Sequence, residues 1–143
     1  MHHIAIMKKS WGLLEKILSG EKTAESRWYN QKRAPFDKIQ KGDFIFFKNS
    51  SEHVSLKARV LKVVQFENIS ERERKEILKK YGKADLGCRQ IMPEIEKYTK
   101  GKKYCVMVFF NNVKKVKPFE INKKGFGSMS AWITVSNVNE IKV

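Results

Sequence analysis

Gly20-Glu21-Lys22-Thr23-Ala24-Glu25-Ser26-Arg27-Trp28-Tyr29 is the stretch whose reading decides the fold. Ahead of it, Trp11, Leu14, Ile17 and Leu18 recur at helical spacing. Ser10 can N-cap that helix, and Gly20 can end it in the left-handed conformation that a Cβ disfavours. Within the stretch, polarity alternates with period two. Thr23, Glu25, Arg27 and Tyr29 share one face of a strand, and Ala24, Ser26 and Trp28 share the other. The small, small, large order of the second face suits packing against another layer. The first face carries a carboxylate and a cation on a rigid element, with Lys22 at the helix-to-strand junction, so it is the candidate ligand site. The plainer reading is that Glu25 and Arg27, two apart on one face, neutralise each other as a structural ion pair. Such a pair, partly buried, needs further hydrogen bonds to offset its desolvation.

Working outward, Ile4 to Met7 reads as a short first strand. Asn30 to Ala34, with Lys32 and Arg33, is a polar loop, and Lys41-Gly42-Asp43 is a tight turn. Phe44 to Phe47 is apolar on both faces, the pattern of a central strand, and it runs into Lys48-Asn49-Ser50-Ser51. Val54 to Phe66 suits a long, bent strand. Ser70 and Glu73 have capping-box spacing for a helix that runs to about Tyr81, with Gly82 as its stop. A short helix holds Ile91, Ile95 and Tyr98. Tyr104 to Phe110 is a second central strand, Asn111-Asn112 a turn, and Val113 to Val116 the start of another arm. Ser130 to Val135 and Val138 to Val143 supply closing strands. Strands outnumber helices, and helices interrupt rather than alternate with them. The expectation is a single α+β domain over residues 1–143, a mixed β barrel with helices closing its ends.

The 143 residues carry 30 Lys and Arg against 15 Asp and Glu, a formal net charge of +15. That excess favours polyanionic partners, nucleic acid foremost. Lysine-rich composition also accompanies heat adaptation whatever the partner. No apolar run approaches the ~20 residues needed to span a bilayer, so no membrane partner is expected. No charged start, apolar core and cleavage site is visible, and two cysteines fit a reducing cytoplasm. Cys88 and Cys105 form no Cys-x-x-Cys pair and have no histidine at ligand spacing, so neither metal nor cofactor is expected. Cys105, inside an apolar strand, reads as a buried thiol, and Cys88 as an exposed one. Lys123 to Ser128 is glycine-rich and basic but matches no phosphate-binding fingerprint, so it reads as a plain turn.

The Gly-x-Lys-Thr-x-Glu-x-Arg pattern directly after a helix resembles the signature of the ASCH domain, a branch of the PUA-like superfamily. Similar features continue through Pro35 to Asp43, Phe44 to Lys48, Lys57 to Val60, Tyr104 to Phe110 and Ser130 to Ile133, so the resemblance covers most of the chain. It implies a PUA-like pseudobarrel with a cleft between barrel and helix. The cleft residues would be Lys22, Thr23, Glu25, Arg27 and Tyr29, with Lys48, Asn49, Ser130 and Trp132 as neighbours. Domains of this kind are generally taken to bind RNA. Here arginine and lysine would hold phosphate, a carboxylate would accept from a base, and Trp132 or Tyr29 would stack. The partner would be RNA or a modified nucleoside or nucleotide. Some ASCH-like proteins are instead amidohydrolases of acylated cytidine-type nucleosides, and others are assigned ribonuclease activity. The amidohydrolase lysine matches Lys22, but the hydroxyl residue three positions on falls at Glu25. A hydrolase here would rely on Lys22 and Glu25 as an acid/base pair, with burial lowering the lysine and the neighbouring anion raising it.

Overall fold

Gly20 does end a helix, with φ +86°, and the chain turns at once into the signature strand. The computed structural model describes residues 1–87 and 92–143, and the readings of Cys88 and Ile91 fall outside them. The strands are β1 (His2–Met7), β2 (Ala24–Tyr29), β3 (Phe44–Asn49), β4 (Val54–Phe66), β5 (Tyr104–Phe119) and β6 (Trp132–Val135). The helices are α1 (Leu13–Ser19), α2 (Glu71–Leu86) and α3 (Pro93–Thr99). One sheet runs in the order β2-β5-β4-β3-β1-β6, antiparallel except for the parallel β1–β3 pair.

The sheet curls into a half-barrel, and apolar clusters lie on both of its faces. The inner face gathers Ile45, Phe47, Ala58, Val106, Val108 and Trp132 into one cluster, and α1 plugs it with Leu13 and Ile17. Outside β2 and β5, Ala24, Trp28, Cys105 and Met107 pack under Ile77, Leu78 and Leu86 of α2 and Ile95 of α3. The packed second face of the signature strand is therefore as expected, and the Cys105 thiol is fully buried. Outside β1 and β3, the chain after Phe119 folds back, and Ile121, Val138 and Ile141 cover Ile4 and Phe46. Buried Arg74 ties α2 to α3, donating to Glu71 at 2.5 Å, Glu96 at 2.6 Å and Thr99 at 2.9 Å. No helix among the described residues is long and apolar enough to cross a membrane.

Several boundaries differ from the sequence reading, each for a local reason. Gly12, at φ +63°, splits the first helix into a 3-10 turn (Lys9–Trp11) and α1, and this leaves Leu18 exposed rather than packed. α2 does not stop at Gly82, which is buried inside it. It continues one more turn to Leu86 and ends at Gly87, φ +69°. Asn111-Asn112 is not a turn, because β5 runs straight through it. Asn112 takes φ +53° close to a register shift between β4 and β5, the behaviour of a bulge. Val138 to Val143 is a 3-10 turn (Val138–Glu140) followed by one bridge, Ile121 to Lys142, rather than a strand.

A second polar group lies inside, where the sequence reading placed none. His3 is fully buried, with Nε2 2.8 Å from Asp43 Oδ2. Its Nδ1 lies 3.2 Å from the Trp132 indole nitrogen and 3.0 Å from the Thr134 hydroxyl. An indole N–H can only donate, so Nδ1 accepts and the His3 proton sits on Nε2, donated to Asp43. Burial pulls His3 below the usual histidine range, against the opposing pull of Asp43. The unfolded chain therefore binds the proton more readily than the native one. Stability is fully present above about pH 6.5 and falls with pH below it, by at most about 1.4 kcal/mol per pH unit. Chemical denaturation between about pH 5 and 7 should show this slope, flattened in His3→Gln. His2 shifts the same way, so some slope survives in that variant. An identical slope in the variant would exclude His3 as the source.

Candidate functional site

The turn that delivers Lys22 is stapled on one side to α1 and on the other to the last turn of α2. The Lys22 amide donates to Lys16 O at 3.0 Å and the Thr23 amide to Ala84 O at 2.8 Å. Gly87 allows this approach: a Cβ there would lie 3.0 Å from Lys16 Cδ and 3.3 Å from Glu21 Cβ. The Lys22 side chain consequently points inward and is 1% exposed. Its ammonium donates to Ala24 O at 2.5 Å, to Glu25 Oε1 at 2.9 Å, to Asp85 Oδ1 at 3.0 Å and to Asp85 O. Asp85 is held in turn by the Ser26 amide at 2.9 Å and the Ser26 hydroxyl at 2.6 Å.

Glu25 bridges the two cations, since its Oε2 accepts from Arg27 Nε at 3.0 Å and Nη2 at 2.8 Å. Arg27 reaches on across the half-barrel, donating to Ala131 O at 3.0 Å and Ile6 O at 3.2 Å. Its guanidinium lies over the Trp132 ring, 5.1 Å from the centroid. β2 and β6 are the two free edges of the sheet. Arg27 thus clasps one edge to the segment that carries the other. Lys22, Glu25, Arg27 and Asp85 form a buried quartet of two cations and two anions, with Glu25 5% and Arg27 7% exposed.

The charges set one another. Burial pulls Lys22 down, but Asp85 and Glu25 outweigh it and leave the ammonium above the usual lysine range. Burial pushes Glu25 up, but Lys22 and Arg27 outweigh it and leave the carboxyl below its usual range. At Lys22 the two anions prevail over burial. Neither group exchanges a proton near neutral pH.

No protein-family model matches the chain, and no curated protein does. Among solved structures it is similar to an ASCH protein from Zymomonas mobilis, at 15% identity and TM-score 0.67, over 94% of this chain and 87% of that one. It is likewise similar to a tyrosine-to-phenylalanine variant of that protein, at 14% identity and TM-score 0.69, over 97% and 93% of the two chains. A serine-to-alanine variant gives 15% identity and TM-score 0.67, over 97% and 91%. The chain has the ASCH fold.

Within this ASCH fold the remaining candidate residues separate. Asn49 and Ser130 come to the Arg27 end of the half-barrel. Asn49 pairs in register with Met7, whose sulfur lies 3.4 Å from Arg27, and Ser130 precedes Ala131. Lys48 pairs in register with Ile6, which packs on the outer face, and so stands on that face. Partial burial and the neighbouring Lys123 lower its pKa. Thr23 is exposed at the strand entrance. Tyr29 is half-buried at the far end, with its hydroxyl pushed up to about 12 by burial. Trp132 corrects the stacking expectation: it is 4% exposed, packed in the inner cluster and faced by Arg27, so it offers no open ring. The expectation of Lys22, Glu25 and Arg27 on an open face is corrected in the same way, because all three are spent on one another, on Asp85 and on backbone carbonyls.

Asp85 is the site residue that sequence reasoning missed. Stopping α2 at Gly82 hid it, although Leu78, Gly82 and Leu86 keep the i, i+4, i+8 spacing of one helical face and Gly87 is an equally good stop. The Lys123-to-Ser128 turn keeps its plain reading: Lys123 donates to Ser128 O and Ser130 O, each at 2.8 Å, and closes the turn on itself.

Proposed function

We propose that this ASCH-fold chain is an RNA-binding module that contacts its ligand with surface cations rather than with the signature quartet. The observation that carries the reading is the neutrality of the quartet. Lys22 and Arg27 are cancelled by Glu25 and Asp85, so the whole formal excess of +15 belongs to the rest of the chain. A buried, balanced quartet has no charge left for a phosphate, whereas exposed cations release counterions when they meet one. The resemblance to ASCH domains, generally taken to bind RNA, points the same way. The hydrolytic alternative needs a group that exchanges protons near neutral pH, and Lys22 and Glu25 are each held away from that range.

Fluorescence anisotropy with a short single-stranded RNA tests the reading. Affinity should fall steeply between about 50 and about 200 mM salt, with a log–log slope steeper than about −2 at ~0.7 per phosphate contact. No binding, or binding indifferent to salt, would overturn it.

A further inference from the structure

Strand register gathers an aromatic ring and three cations on the outer face of the sheet, away from the signature strand. Register partners project to the same side of a sheet. Phe44 on β3 stands opposite Arg59 on β4 and His2 on β1, and Lys57 on β4 stands opposite Phe46 on β3 and Lys114 on β5. Phe44 is only half-buried. Lys57 Nζ lies 4.3 Å and Arg59 Cζ 4.7 Å from its ring centroid, so two like charges converge on one ring. Among the described residues, no carboxylate forms an ion pair with Lys57, Arg59 or Lys114.

Cations held side by side repel one another and invite an anion from outside. The ring quadrupole attracts both and keeps them on the surface rather than splayed into solvent. Elsewhere the outer face is covered, by α2 and α3 on one side and by the C-terminal segment on the other. Between these covers the exposed Arg59 and Lys114 remain open.

We propose that the outer face of β3, β4 and β5 is where single-stranded nucleic acid docks, with Lys57, Arg59 and Lys114 on successive phosphates and Phe44 as the aromatic post between them. This rests on the RNA-binding reading and adds its location. A single strand fits better than a duplex, because its flexible backbone can follow cations whose spacing is set by strand register, while Phe44 holds Lys57 and Arg59 in place beneath it.

The test measures RNA affinity and salt slope for the wild-type chain and for the triple variant Lys57→Gln, Arg59→Gln, Lys114→Gln. The triple variant should bind at least about tenfold more weakly, and its log–log slope should be shallower by about 2 (three contacts at ~0.7 each). Phe44→Leu should weaken binding severalfold with the slope unchanged. The pair Lys75→Gln, Lys79→Gln on the exposed face of α2 should leave both quantities as they are. If thermal unfolding shows the triple variant to be misfolded, the single change at exposed Lys114 carries the test, with a slope change of about 0.7. A triple variant that binds RNA like wild type overturns this surface and leaves the RNA reading standing. Equal competition by polyaspartate overturns the nucleic-acid assignment of the surface. A wild-type chain that binds no RNA overturns both.

Discussion

Replacing Lys22 by methionine lowers the unfolding free energy by about 3–5 kcal/mol, the usual cost of breaking a buried ion pair by removing one partner. The substitution keeps the unbranched stem but takes the ammonium from Glu25 and Asp85, which are 5% and 6% exposed, leaving Glu25 with Arg27 alone and Asp85 with no cation, only the Ser26 amide and hydroxyl. Urea denaturation near neutral pH measures the loss. Its pH dependence separates charge from volume. In the native chain Glu25 titrates below its ordinary value of 4.5. It therefore contributes stability that is present above that value and lost as pH falls through the native pKa. Removing Lys22 removes the largest source of that depression, so the deficit of the variant shrinks as the medium is acidified into the carboxylate range. A loss under about 1 kcal/mol at neutral pH would mean that the quartet is hydrated, and the argument from its neutrality would fall with it.

Arg27→Leu should cost a similar 3–5 kcal/mol, but with a different spatial signature. Arg27 is the only described side chain that carries hydrogen bonds from β2 to the Ile6 carbonyl on β1 and the Ala131 carbonyl just ahead of β6. Without it, Glu25 keeps Lys22, while the seam of the half-barrel loses its clasp. Amide hydrogen exchange should rise first in β1 and β6, with the layer of Trp28 under α2 and α3 still protected. Lys22→Met should instead loosen the end of α2 around Asp85. Uniform loss of protection in both variants would contradict these separate roles.

Much of the architecture was legible because it depends on local signals. The Ser70 hydroxyl accepts from the Glu73 amide, as the capping spacing promised. Gly20 ends α1, and the both-faces-apolar runs at Phe44 and Tyr104 lie inside the sheet as expected. The errors arose where two signals competed. Gly82 looked like a stop, yet the burial of Leu86 and the pairing of Asp85 with Lys22 and Ser26 outweigh the modest cost of a helical glycine, ~1 kcal/mol. Asn111-Asn112 looked like a turn, yet pairing with β4 on both sides absorbs it as a bulge.

The alternation of Ala24 to Tyr29 determined, from sequence alone, that this strand has a packed face and a charged face. The composition likewise determined that the chain carries far more positive charge than it can pair internally. Period two says which residues share a side, but not what stands opposite them. Only tertiary structure decided that the charged face turns into the half-barrel, where Arg27 meets the Ile6 and Ala131 carbonyls, and that Lys22 gains a second anion from Asp85, some sixty residues away and brought in by the last turn of a helix. Only tertiary structure, too, decided that Lys57 and Arg59 converge on Phe44 with Lys114 opposite Lys57, since strand register joins residues of three strands that no local pattern connects.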